Sequence, residues 1–92
     1  MLLKKKRNSL EITITMLEAC TDGINKTKLM YKVNLSTRPF NKYLNQLVKS
    51  GYIKREGNLY KLTEKGMKYL QRAREYLELA KKLEELRKEI DK

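Results

Sequence analysis

The clearest periodicity in the chain lies in residues 36–50. Phe40, Tyr43, Leu44, Leu47 and Val48 recur there at the spacing of a helix buried along one face. Ser36 is a strong cap for its start, and Pro39 is tolerated in a first turn whose N–H groups have no internal partner. Gly51 ends the helix as a left-handed C-terminal glycine would. Upstream, Asn25 caps a short helix through Val33 with Leu29, Met30 and Val33 available to a core. Asn34-Leu35-Ser36 breaks that pattern, and Leu35 serves as the apolar plug of the turn. Residues 9–20 fit two periods. Leu10, Ile12, Ile14 and Met16 alternate with Glu and Thr as a strand would, whereas Leu10, Thr13, Ile14, Leu17 and Thr21 share one helical face. Asn8 or Ser9 can cap that helix and Thr21-Asp22-Gly23 can stop it. Helix is the expectation, because the helix pair that follows needs a supporting helix in this position.

After Gly51 the period changes from helical to alternating. Residues 52–55 and 58–62 have strand character around Glu56-Gly57, so a tight β-hairpin is expected, with Ile53, Tyr60 and Leu62 pointing inward. Thr63 caps a last helix that contains no proline and only Gly66, near its start. Running to about Asp91, that helix would extend roughly 42 Å, longer than so small a domain can cover, so part of it projects. Met67, Leu70, Ala73, Leu77, Ala80, Leu83, Leu86 and Ile90 form a stripe along it at steps of three and four. Three successive steps of three between Leu77 and Leu86 break a strict heptad and leave the coiled-coil register open. A stripe this long is a poor surface for a monomer, so Leu70, Ala73, Leu77, Ala80, Leu83, Leu86 and Ile90 are the expected dimerisation residues. The fold class expected is mainly α with a small β-hairpin: a winged helix-turn-helix domain followed by a long C-terminal coiled-coil helix. Its parts are a basic flexible arm (1–8), the winged domain (9–66) and a dimerisation helix (67–92).

Composition narrows the chemistry. At 92 residues there is room for one small domain, which leaves out any mechanism needing two lobes. One cysteine and no histidine argue against a disulfide or a zinc site, so no metal is expected and Cys20 reads as a small buried apolar side chain. Phosphate-cradling glycine loops are absent, and the adjacent carboxylates Glu84 and Glu85 splay about 100° apart on a helix. No enzyme, cofactor or small-molecule ligand is therefore expected. Lysine and arginine number 22 against 11 acidic residues, a net charge of +11. Residues 1–63 hold 13 basic and four acidic side chains and residues 64–92 hold nine and seven, so the excess lies on the N-terminal two thirds. Such a surface favours a polyanion, and the nearly balanced tail suits a helix that pairs with another helix. Leu2 and Leu3 are too few for a signal peptide and no run approaches spanning length, so a cytoplasmic, nucleoid-associated protein is expected rather than a membrane one. The Lys4-Lys5-Lys6-Arg7 cluster reads as an arm that contacts phosphates.

The helix over residues 36–50 holds the recognition position of the expected fold, and its polar face carries the candidate site. With Phe40, Leu44, Leu47 and Val48 turned to the core, a step of 100° per residue sets Arg38, Lys42, Asn45 and Lys49 opposite, with Asn41 on the flank. In a major groove Arg38 can donate to guanine, Asn41 or Asn45 can pair with adenine, and Lys42 can take a base edge or a phosphate. Thr37 offers a hydroxyl and a backbone N–H to phosphate, as do the ammonium groups of Lys26, Lys28 and Lys32. Lys54, Arg55, Asn58 and Lys61 place a wing over residues 54–61 on the backbone or minor groove. Of six tyrosines, Tyr43 and Tyr60 fall in apolar registers, Tyr69 and Tyr76 lie beside the C-terminal stripe, and Tyr31 and Tyr52 fit either core or stacking roles. The function expected is double-stranded DNA binding as a homodimer. A winged-helix protein-interaction scaffold and an RNA-binding module are the alternatives.

Two segments carry a resemblance. Lys28-Leu29-Met30-Tyr31-Lys32-Val33-Asn34-Leu35-Ser36, followed by Tyr43-Leu44 and Leu47, occurs together with Leu59-Tyr60-Lys61-Leu62-Thr63-Glu64-Lys65-Gly66. Over about residues 5–90 the chain resembles the small archaeal winged-helix chromatin proteins of the Sulfolobus ten-kilodalton class. The resemblance implies an elongated homodimer joined by an antiparallel two-stranded coiled coil, with one winged domain at each end. It also implies an archaeal cell and an architectural protein or transcriptional regulator of modest sequence preference. By position, Thr37, Arg38, Asn41 and Lys42 match the start of that family's recognition helix, and Lys54, Arg55 and Asn58 match its wing.

Overall fold

A computed structural model describes residues 8–91. Its elements run α1 (Ser9–Ala19), β1 (Ile24–Asn25), α2 (Lys26–Val33), α3 (Thr37–Lys49), β2 (Ile53–Glu56), β3 (Leu59–Leu62) and α4 (Glu64–Ile90). The expected basic arm lies outside the described residues except for Asn8. That residue caps α1 in a reciprocal pair: its side chain accepts from the Glu11 N–H at 2.8 Å, and the Glu11 carboxylate accepts from the Asn8 N–H at 3.1 Å.

The two periods of the first segment have one cause. Ile12, Ile14, Met16, Leu17 and Cys20 are all buried, which at 100° per residue spreads the apolar contact over about 200° of helix. Of the face expected from the sequence, Ile14 and Leu17 are buried, Leu10 and Thr13 are half-buried and Thr21 is exposed. A helix covered by α2 on one side and α4 on the other keeps only the narrow polar edge of Glu11, Thr15 and Glu18 to report a period of 3.6, so alternation and helix were both visible. Arg74 of α4 also holds Glu18 of α1 through two guanidinium nitrogens at 2.7 and 3.0 Å.

The short helix and the turn follow expectation, with one correction. Asn25 caps α2 by accepting from the Lys28 N–H at 2.9 Å, and Asn34 closes it in the left-handed conformation, φ 58°. Ser36 holds the N-cap position of α3 with extended backbone, but its side chain makes no capping hydrogen bond. Phe40, Leu44 and Leu47 turn inward, Leu35 and Tyr43 pack at the edge of the core, and Val48 is exposed at the rim. At the far end the Gly51 N–H donates to Val48 O and the Tyr52 N–H to Leu47 O, each at 3.0 Å, with Gly51 at φ 84°. That pair of bonds is a Schellman closure, the role expected of Gly51.

The hairpin differs in two details. Its register pairs Ile53 with Leu62 and Glu56 with Leu59, so the turn is Gly57-Asn58 and Glu56 belongs to a strand. Gly57 at φ 60° supplies the positive first position of a two-residue hairpin turn. A third strand, β1, pairs antiparallel with β3 through Ile24 and Asn25, giving the order β1-β3-β2. Two residues are too few to show alternation, so this strand left no sequence signal.

The start of α4 is fixed to everything before it. Thr63 accepts from the Gly66 N–H at 2.9 Å while its hydroxyl donates to Gly51 O. Its backbone N–H donates to Tyr52 O at 3.1 Å, and the Lys65 ammonium donates to Ser50 O at 2.9 Å. Gly66 is buried at this joint, where an added Cβ would run into the Tyr52 carbonyl oxygen and the Leu62 side chain. Leu70 and Ala73 are buried in the chain's own core and Leu77 packs on its edge, which corrects the expectation that the first two face a partner. Met67 belongs to neither apolar face and is 44% exposed. Replacing Gly66 with Ala should therefore lower stability by about 1–3 kcal/mol, read as a fall in the denaturant midpoint at unchanged m-value. An unaltered midpoint would remove this contact from the account of the joint.

Candidate nucleic-acid interface

Burying Phe40, Leu44 and Leu47 fixes which way the rest of α3 points. Arg38, Lys42, Asn45 and Lys49 lie within about 50° of the point opposite that stripe, and all four are exposed. Thr37 is exposed in the first turn, and Asn41 is half-buried on the flank, as the wheel places them. The first-turn N–H groups and Thr37 lie at the positive end of the helix, where an anion is favoured. This face is polar and cationic without any acidic side chain, because α3 contains none. Tyr43 anchors the helix laterally, its hydroxyl 3.0 Å from Ser9 Oγ at the start of α1. Lys26, Lys28 and Lys32 are exposed on α2.

The hairpin is less free than its sequence suggested. Lys54 lies 2.9 Å and Lys61 3.1 Å from the Glu56 carboxylate, one on each of its oxygens. Lys54 and Lys61 are cross-strand partners, so the pleat delivers both ammonium groups to one face. The Arg55 guanidinium donates from Nε to Gly57 O at 3.0 Å and stands 5.9 Å from the centre of the Tyr60 ring. Asn58 is exposed in the turn. Of the expected wing contacts, then, Lys54, Arg55 and Lys61 have intramolecular partners in this state, and Glu56 is the residue that sequence reasoning passed over. Its signal was present in the sequence: a lone acid among three basic residues in a hairpin, two positions from one lysine.

The tyrosines divide cleanly. Tyr52 stacks on Tyr69 with centroids 4.6 Å apart and planes inclined by 23°, so it joins the α4 junction. Tyr43, Tyr60 and Tyr69 are half-buried against the core. Tyr31 is 87% exposed on α2 between Lys28 and Lys32, and Tyr76 is exposed on α4. Cys20 is fully buried, and burial pushes its thiol up to about 11, away from the reactive thiolate. Among the described residues no cluster of three potential metal ligands occurs, and no helix is long and apolar enough to cross a membrane.

Beyond the core, α4 exposes a second apolar track. Tyr76, Leu79, Leu83, Leu86 and Ile90 are 54–79% exposed and follow steps of three, four, three and four, a regular heptad seam. The inward residues Gly66, Leu70, Ala73, Leu77 and Ala80 follow the same rhythm about 100° around the helix. The irregular run from Leu77 to Leu86 was a crossing between two regular tracks. Tyr76 and Leu79 therefore replace Leu70 and Ala73 among the residues that face outward.

Three comparisons bear on this arrangement. Residues 6–81 match the winged helix-turn-helix family. An uncharacterized protein of Methanocaldococcus jannaschii is 38% identical over 64 residues, covering 68% of this chain and 66% of its own length. A second from the same organism is 32% identical over 68 residues, covering 73% of this chain but 32% of its own length. The chain thus spans under two thirds of the first relative and about a third of the second. The crystal structure of Sso10a-2, a DNA-binding protein from Sulfolobus solfataricus, superposes with a TM-score of 0.82 at 28% identity, covering 92% of this chain and 94% of that one. The resemblance seen in the Met30 to Ser36 turn and in the Thr63 to Gly66 junction is thereby shown in structure.

The carboxylate of Glu56 offers a direct check on the hairpin. Hydrogen bonds from Lys54 and Lys61 hold it below the usual value of 4.5. The sign follows: its contribution to stability is present above 4.5 and is lost as pH falls through the lower, folded-state midpoint. An NMR titration should place the Glu56 midpoint below that value and move it upward in Lys54→Met and again in Lys61→Met. A midpoint indifferent to both lysines would show the two ion pairs absent in solution.

Proposed function

The chain belongs to the winged helix-turn-helix family, and from that premise we propose that it binds double-stranded DNA as a homodimer. One observation carries the reading. The exposed face of α3, with Arg38, Lys42, Asn45 and Lys49 opposite its buried stripe, is cationic and hydrogen-bonding in the element that enters the major groove in this fold. The likeness to a DNA-binding protein over nearly the whole of both chains supports it.

In the proposed complex Arg38 and Asn41 or Asn45 read base edges, and Thr37, Lys42 and Lys28 hold phosphates. Lys54, Arg55 and Asn58 lie along the backbone or the adjacent minor groove. For Lys54 and Lys61 this requires exchange of the Glu56 carboxylate for a phosphate oxygen, so the wing engages by swapping ion pairs. The proposed work is binding rather than catalysis, in a nucleoid-associated architectural protein or regulator. The second copy joins through the seam from Tyr76 to Ile90, antiparallel as in the family resembled, which covers an apolar track that a monomer leaves in water.

Binding measured against salt should show log affinity falling linearly with log concentration, by roughly 0.9 per phosphate neutralised. A flat profile would sink the reading. Arg38→Ala should cost about 1–3 kcal/mol at a preferred site if it reads a base and should weaken all sequences alike if it touches only phosphate. Glu56→Gln frees both lysines, so it should tighten duplex binding and steepen the salt slope by up to about one unit. An unchanged slope would place the wing off the DNA. Leu83→Glu with Leu86→Glu should sediment as a monomer that still folds. A double variant that remains a dimer would locate the subunit contact elsewhere.

A further inference from the structure

The heptad track of α4 does not end where the winged domain begins. Continued toward the N-terminus at the same steps, Tyr76 leads to Arg72, Tyr69 and Lys65. With Tyr52, Lys68 and Gln71 these residues line a groove of about 510 Å³. Its floor is the stacked pair Tyr52 and Tyr69, and the Lys65 ammonium sits 5.4 Å from the centre of the Tyr52 ring while it donates to Ser50 O. The groove is therefore continuous with the apolar seam and lies against the root of the hairpin.

Flanking this track on one side, one residue before each alternate position, are Lys68, Glu75, Lys82 and Glu89. Their sign alternates every seven residues. On the other flank Ala73 is turned into the chain's own core and Ala80 is half-buried, so the charged flank alone is free to distinguish registers. In an antiparallel pair, residues of the first flank face one another across the seam, so an alternating track selects among registers.

We infer that two copies pair in the register that sets Tyr76 against the second copy's Leu79, Tyr69 against its Leu86 and Lys65 against its Ile90. The far end of each α4 then fills the other copy's groove beneath Tyr52. This rests on the dimer proposed above. Lys68 meets the second copy's Glu89 and Glu75 meets its Lys82, and the twofold axis repeats both pairs. A shift of one heptad in either direction opposes like charges: Glu75 to Glu89 and Lys82 to itself one way, Lys68 to Lys82 and Glu75 to itself the other. A parallel pair gains no attraction, since Glu75 would face Ala80 and Lys82 would face Arg87. A shift of two heptads that keeps Lys82 against Glu89 leaves both grooves empty. In the inferred register the second copy's Leu86 and Ile90 cover the Tyr52 and Tyr69 rings, so each wing is braced by the other chain.

The test uses the full-length chain in sedimentation equilibrium at low salt. Lys68→Glu and Glu89→Lys, each creating two repulsive contacts per dimer, should separately raise the dissociation constant about tenfold. Combined in one chain they restore opposite charge at both places and should return it to within about twofold of the original. Losses that merely add in the double variant overturn the register. If they do so while the Leu83 and Leu86 variant still dissociates, the dimer stands and only its register falls. If the unaltered chain is a monomer, the proposed homodimer itself falls. Amide exchange gives a second readout: Tyr52, Ile53 and Tyr69 should be slower in the dimer than in the Leu83→Glu, Leu86→Glu monomer. Equal rates would show that no helix end reaches the groove.

Discussion

Everything that gives this molecule a working shape passes through the joint where α3 ends and α4 begins. Ser50 and Gly51 present carbonyls that α3 can no longer use internally, and Lys65 and Thr63 of the other helix satisfy them. Tyr52 is held from both sides, its N–H by Leu47 and its carbonyl by Thr63. Gly66 lets α4 pass directly over that carbonyl. The helix α3, both strands of the hairpin and the long helix are thus tied within a few residues of one another. Moving any one of them breaks hydrogen bonds of the others at a joint that is exposed around Ser50 and Gly51 and closed over Gly66. The orientation of Arg38 and Lys42 relative to the hairpin follows from this joint more than from propensities of α3 itself.

The parts of this arrangement that the sequence made legible were those with a surface to contrast with a core. Residues 37–49 alternate between buried and solvated sides, so their helix, its inward residues and its cationic face could all be read from spacing. Asn25, Gly51 and Thr63 were legible because each performs a backbone task that few other side chains perform. Residues 9–20 were ambiguous for the opposite reason. A helix covered over more than half its circumference shows the apolar density of a buried strand. The strand at Ile24 and Asn25 was invisible, being shorter than one period of its own pattern. Leu70 and Ala73 were assigned to a partner because two tracks on α4 share one rhythm, and only burial separates them. In the hairpin, position was legible but pairing was not: that Lys54 and Lys61 converge on Glu56 depends on a register displaced by one residue from the expected turn.

Charge in this protein is distributed with more discrimination than its total of +11 conveys. The face of α3 carries no acid at all, whereas the hairpin carries one acid bound to two lysines. The first surface is attractive to an anion at long range, and the second becomes so only when its own ion pairs open. These exposed pairs contribute little to holding the fold. Their effect is to make the strength of the hairpin's field depend on what stands in front of it.

The enclosure of α1 has a consequence for how the molecule tolerates change. Covered by α2, α4 and the end of β3, whose Leu62 N–H donates to Cys20 O at 2.9 Å, this helix buries Ile12, Ile14, Met16 and Leu17 and leaves Ser9 and Glu18 to solvent. It serves as the axle on which the outward elements are mounted, and its buried side has no variants that are neutral by virtue of facing water. Substitutions at Ile12, Ile14, Met16, Leu17 or Cys20 alter every outward element at once, while substitutions on the exposed face of α3, the hairpin turn or the far half of α4 stay local. Divergence among proteins of this build should accordingly be written on its rims, leaving the hub the slowest part to drift.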